Sequence, residues 1–191
     1  MSAALEHPRR RAVSAQEYLR MGEAGVFAPD ARLELIEGEI IGTAPIGPPH
    51  ASVVAVLTHL LVPQAGDRAI VWVQLTVVLG KWTVPQPDPA ILTPRKDFYL
   101  RRLPSAVDIL LAVEVSDSTL AFDLGRKALL YARAGIRELW VVDVKAREVH
   151  VHREPAEQGY ASVSVATHEA ILQSIALPEI RTSPREIFRG F

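Results

Sequence analysis

Apolar positions along this chain change their period several times, and each change predicts an element. Ser14 followed by Glu17 is a capping-box pattern, which predicts a helix from Ala15 to Glu23. The run R-L-E-L-I-E-G-E-I-I alternates on both sides of Glu37-Gly38 and predicts a hairpin, with Gly38 supplying a positive φ. Pro45, Gly47, Pro48 and Pro49 make a rigid loop. A helix is expected after it, from near His50 to about Leu61, because Val53, Val56, Leu57, Leu60 and Leu61 fall at helical spacing.

Further on, A-I-V-W-V-Q-L-T-V-V-L between Asp67 and Gly80 is rich in β-branched residues and reads as one long strand over 69–79. Asp88 to Leu92 reads as a short strand hemmed by prolines, and 94–106 as an excursion over the surface. Ile109 to Ser116 is apolar almost throughout, as in a central strand covered on both faces. Ser118 or Thr119 can cap a helix to about Ala134, with Gly135 as its left-handed terminator. Two strands around the turn V-K-A-R, a third in G-Y-A-S-V-S-V-A and a short helix near Pro184 to Phe188 complete the series. This order predicts an α/β fold, a mixed β-sheet core flanked by helices, in a single domain over 14–191 behind a flexible basic tail at 1–13.

Composition narrows the chemistry. The chain has 191 residues, 49% of them hydrophobic, enough for a real core. A formal net charge of -1 means that a polyanion would be held by local basic groups and not by the field of the whole protein. The absence of cysteine excludes disulfide frameworks, thiolate zinc sites and cysteine nucleophiles. No stretch approaches the roughly 18 apolar residues of a membrane span, and the start of the chain lacks the apolar segment of a signal peptide. A cytoplasmic protein without membrane association is the expectation. Arg9-Arg10-Arg11 reads as part of the tail.

Against this background two carboxylates stand out. Asp88 lies in V-P-Q-P-D-P-A-I-L and Glu114 in I-L-L-A-V-E-V-S, where a buried acid costs several kcal/mol unless it is paired or bound to a cation. Hard cations such as Mg²⁺ take oxygen ligands, and Asp88 with Glu114, helped by the Val115 carbonyl, would provide them. Ser116 shares the strand face of Glu114. Eleven residues beyond it the next helix carries Lys127, long enough to lean over the strand end. Two acids and a lysine on such a scaffold suit metal-dependent phosphodiester cleavage. A structural ion network would look the same.

The segment V-E-V-S-D-S-T-L-A-F-D-L-G-R-K-A-L-L-Y-A-R-A-G-I-R-E-L-W-V-V-D resembles the Uma-type endonucleases, a branch of the PD-(D/E)XK, restriction-endonuclease-like superfamily. R-L-E-L-I-E-G-E-I-I, P-P-H-A-S, Q-P-D-P-A-I and H-R-E-P-A-E-Q-G-Y extend the resemblance over roughly residues 14 to 188. It implies a Mg²⁺- or Mn²⁺-dependent endonuclease acting on nucleic acid, DNA in the first instance. It also implies a metal held by Asp88, Glu114 and the Val115 carbonyl, with Glu34 as a further acid and Lys127 as the lysine displaced from its usual place to the helix. His50 matches a recurrent histidine. Pro89 departs from the pattern, and a proline there is expected to confine its strand to an edge or a bulge.

Plainer readings stand beside these. Asp88 reads equally as a turn residue and Glu34 as a solvent-facing hairpin residue. Asp123, four residues before Lys127, would make an ordinary helix ion pair, and Tyr131 a packing residue. Ser116, His50, Arg95 and Lys96 are candidates for substrate contact; Arg101 and Arg102, with Phe98 and Tyr99 interleaved, extend the basic loop. No histidine pair has helical zinc spacing, although His150 and His152 share one strand face. A silent interaction module, with edge strands that would allow a homodimer, and a small-molecule phosphodiesterase are the alternatives.

Overall fold

The computed structural model describes residues 10–43 and 45–191; most of the expected basic tail, including Arg9, lies outside the described residues. Ser14 caps α1 (Ala15–Glu23) through the reciprocal capping box with Glu17. The hairpin β1 (Leu33–Ile36) and β2 (Glu39–Gly42) turns at Glu37 and Gly38, both with positive φ, 51° and 83°. α2 runs over Pro48–Ala65. It outlasts the expected end at Leu61 because Pro63, whose fixed φ is compatible with a helix, costs only one hydrogen bond in the last turn.

A six-stranded sheet is ordered β3-β4-β5-β6-β7-β8. Its strands are β3 (Ile70–Val73), β4 (Pro89–Leu92), β5 (Ile109–Ser116), β6 (Glu138–Asp143), β7 (Glu148–Ala156) and β8 (Gly159–Thr167). Only β5 and β6 run parallel, with Ser116 beside Asp143 in register. Their crossover is helical: α3 (Leu120–Phe122), a π-turn at Asp123–Lys127 and α4 (Ala128–Arg133), ended by Gly135 at φ 78°. β9 (Leu172–Gln173) pairs with β10 (Arg181–Thr182), and α5 (Pro184–Ile187) follows.

The centre of the sheet is buried on both faces. Val53, Leu57 and Leu61 of α2 pack with Leu111, Val113 and Trp140 on one side. Tyr131 and Ala128 of α4 pack with Ala112, Leu139 and Val141 on the other. This explains why β5 is apolar at nearly every position. The hairpin and α1 form a third apolar cluster with Val84.

Three expectations are corrected. The long strand over 69–79 ends at Val73, because Gln74 turns the chain with φ 51° and donates its N–H to Asp88 O at 2.8 Å. Of the edge or bulge expected from Pro89, the edge is excluded and its strand carries an irregularity instead. β4 lies between β3 and β5, and Pro89 is tolerated as its first residue, with a register shift at Ile91/Leu92. The segment 94–106 is not a purely solvated loop: Tyr99 is buried in the α4-side core, with Arg95 and Arg102 over its ring.

Candidate active site

The parallel pair ends in a cleft of about 100 Å³ whose lining includes Glu34, His50, Asp88, Glu114, Val115, Asp123 and Lys127. β4, β5, the hairpin, the start of α2 and the π-turn each contribute. Asp88 enters just before β4. Its N–H donates to Val113 O at 3.1 Å, and the Val115 N–H donates to its Oδ2 at 2.8 Å. A carboxylate oxygen thus replaces the backbone partner that β4 would otherwise supply. His50 Nε2 lies 2.8 Å from Asp88 Oδ1, donating in the tautomer that carries its proton there, and Gln74 Nε2 donates to the same oxygen at 3.1 Å. Strand alternation aims the Val115 carbonyl to the same side as its N–H, towards Asp88.

Glu114 points from β5 towards α4. Tyr131 donates its hydroxyl to Glu114 Oε1 at 2.6 Å, and Lys127 Nζ lies 2.8 Å from that oxygen. Lys127 also reaches Glu34 Oε1 at 3.2 Å, where the Gln86 N–H donates at 2.7 Å. Of the two readings of Glu34, a further acid of the site or a solvent-facing hairpin residue, the structure has it buried in the cleft. Asp123 accepts from Ser116 Oγ at 2.7 Å and Thr119 Oγ1 at 2.5 Å. No hydrogen bond or ion pair joins Asp123 directly to Lys127 among the described residues, so the ion pair along the helix gives way to two with acids of β1 and β5.

Glu34, Asp88, Glu114, Asp123 and Lys127 are each 6% exposed or less, so four buried carboxylates share one buried ammonium. Burial, reinforced by Asp123, Glu34 and Asp88, pushes the Glu114 carboxyl up to about 8 against the pull of Lys127. Burial likewise raises Asp123. Burial alone would depress Lys127, but Glu114, Glu34 and Asp123 carry its ammonium above the ordinary value. Lys127 is thus a fixed positive charge at neutral pH. The donor set is all oxygen and negative in excess, with Glu114 Oε2 and Glu34 Oε2 outside the hydrogen bonds described. It fits Mg²⁺ or Mn²⁺.

The other candidates lie differently. The Ser116 hydroxyl is committed to Asp123 and is 1% exposed. Arg95 and Lys96 do not line the cleft; Arg95 is paired with Asp97. Arg102 is bidentate on Asp108 and holds that carboxyl well below the usual range. Gln74, Asp123 and Tyr131 were not legible as site residues. Their one signal was a polar group interrupting an apolar run. Elsewhere, Asp143, Glu148 and His150 bring one possible ligand atom each within 4.8 Å of one another. There Asp143 Oδ1 accepts the Lys145 and Ala146 N–H groups of the turn. His150 Nε2 lies 3.2 Å from Glu148 Oε1 without hydrogen-bond alignment.

A mixed sheet flanked by helices, with acids and a lysine at the end of its parallel pair, is the restriction-endonuclease-like α/β architecture. The chain belongs to the Uma2 family, described as "Putative restriction endonuclease", which it matches over residues 15–185. It is also similar to a crystal structure described as a putative nuclease belonging to DUF820 from Anabaena variabilis ATCC 29413. That likeness has a TM-score of 0.70 at 19% identity and covers 93% of this chain and 98% of the other, and it is a likeness of fold. No curated protein matches this chain. Among the described residues no helix is long and apolar enough to cross a membrane.

Proposed function

We propose that this protein is a Mg²⁺- or Mn²⁺-dependent endonuclease that hydrolyses phosphodiester bonds of nucleic acid, with DNA as the substrate. The observation that carries the reading is the gathering of four buried acids, Glu34, Asp88, Glu114 and Asp123, in one cleft with Lys127 as its buried ammonium. Asp88, Glu114 and the Val115 carbonyl would hold the cation, with Glu34 as a further acid. A bound cation supplies Lewis-acid stabilisation of the phosphodiester and lowers the pKa of its water.

The protein's own groups prepare that chemistry. His50 and Gln74 orient Asp88 from one side and the Val115 N–H from the other, so its carboxylate has little freedom to turn. His50 thus works through Asp88 instead of reaching a base or phosphate with Nε2. Lys127, held protonated, cannot serve as a general base. Its ammonium has three N–H groups and two carboxylate partners, which leaves one to orient the attacking water and face the developing phosphoryl charge.

Metal-dependent nicking of supercoiled plasmid tests the reading. Asp88→Asn and Lys127→Ala should each lower the nicking rate at least about a hundredfold, and activity surviving in both variants overturns it. A second reading, a catalytically silent ion network, is favoured by the closed contacts of Lys127 with Glu34 and Glu114. On that reading Glu114→Gln lowers thermal stability; on ours it abolishes Mn²⁺ binding and leaves the fold intact.

A further inference from the structure

The helix covering Glu114 is not uniformly α. Its π-turn, Asp123–Lys127, lies between α3 and α4. Asp123, Lys127 and Tyr131 follow at intervals of four residues. In a plain α-helix four residues overshoot a full turn by about 40°. Eight residues would carry Tyr131 about 80° away from the face of Asp123. A π-turn, closed by i→i+5 bonds, takes more residues per revolution and winds that drift back. All three side chains accordingly meet the end of β5: Asp123 at Ser116, Lys127 at Glu34 and Glu114, Tyr131 at Glu114.

Two donors converge on one oxygen of Glu114, the Tyr131 hydroxyl at 2.6 Å and Lys127 Nζ at 2.8 Å. They differ in what a cation would do to them. The ammonium is repelled by a neighbouring divalent charge and rides on a flexible stem. The phenol is neutral, 1% exposed and packed in the α4-side core, so a neighbouring charge does not repel it from Oε1. We propose that Tyr131 is a positioning residue of the metal site: its hydroxyl holds Glu114 Oε1, so that Oε2 is the oxygen presented to the cation. The π-turn is the device that keeps Lys127 and the hydroxyl on the face of Asp123, towards the end of β5. This rests on the nuclease reading above.

Tyr131→Phe removes one oxygen atom and keeps the ring. Titration of the full chain with Mn²⁺, read by calorimetry beside the melting temperature, separates the outcomes. Wild-type protein should bind Mn²⁺, and Tyr131→Phe should bind it roughly tenfold more weakly at a melting temperature close to that of the wild type. Equal affinity in the two, with or without a lower melting temperature, overturns the positioning role and leaves the nuclease reading standing. Failure of the wild type to bind overturns both. If Tyr131→Phe does not fold, wild-type protein labelled at the ring Cζ of its four tyrosines decides the matter. Saturable displacement of one resonance by Mg²⁺ is the expected result, and Mg²⁺ binding that moves none of them overturns the proposal.

Discussion

Glu114 and Glu138 are buried glutamates on neighbouring parallel strands, and their surroundings are opposite. Glu138 is wholly buried and fully matched: Arg153 donates to its Oε1 at 2.6 and 3.0 Å, Trp140 Nε1 at 3.1 Å, and the Ile175 N–H reaches Oε2 at 2.9 Å. One charge meets one countercharge and both oxygens accept hydrogen bonds, as a structural ion pair requires. Glu114 shares the single ammonium of Lys127 with Glu34, beside Asp123 and Asp88. Burying several acids close together costs stability unless each is matched. The mismatch, and not the burial, is what sets Glu114 apart from a clamp such as Glu138 and supports the proposed cation site.

The largest effect expected from breaking this contrast is in stability. Arg153→Ala strands Glu138 and should cost about 3 kcal/mol, read from urea unfolding. Glu114→Gln should cost far less without metal, because the amide closely matches the shape of a carboxyl that is protonated below about pH 8. Equal losses in the two variants would erase the distinction.

Next comes pH. With the Glu114 carboxyl at about 8, the folded protein keeps a proton that the unfolded chain releases near 4.5. As far as this group is concerned, metal-free stability falls as pH rises from 4.5 to about 8. A cation must displace that proton, so Mn²⁺ affinity should climb by up to about tenfold per pH unit and level off above pH 8 or so. A flat profile between pH 6 and 8, measured by calorimetry, would remove Glu114 from the metal site. The smallest effect belongs to Arg126, whose pairs with Glu37 and Glu39 are half-exposed. Arg126→Ala should change stability by less than about 1 kcal/mol and leave Mn²⁺ affinity unchanged.

Elements whose signal is local were legible in the sequence. α1 begins at its capping box, the hairpin turns at Glu37-Gly38, and β5 spans the eight apolar-rich residues expected of it. The residues brought to the cleft, Glu34, Asp88, Glu114 and Lys127, were all legible too. Asp88 and Glu114 stood in apolar or proline-bound surroundings, and the motif tied Glu34 and Lys127 to them. What failed was continuity. A β-branched run over 69–79 breaks at Gln74 because that backbone turns to bond Asp88, a partner fourteen residues away that no local propensity encodes. Nor does the sequence reveal that Asp97 and Tyr99 engage Arg95, and Asp108 engages Arg102, in the basic loop.

By itself, then, the sequence determined which elements form and that two acids sit where acids are costly, since patterning and burial cost are properties of short stretches. Only the tertiary structure decided the charge count and the geometry around them. Glu34 comes from a hairpin, Asp88 from the start of β4 and Lys127 from a π-turn, and their meeting depends on strand register and on one widened helical turn. Coulomb energy depends on distance in space and on burial, and neither follows from separation along the chain.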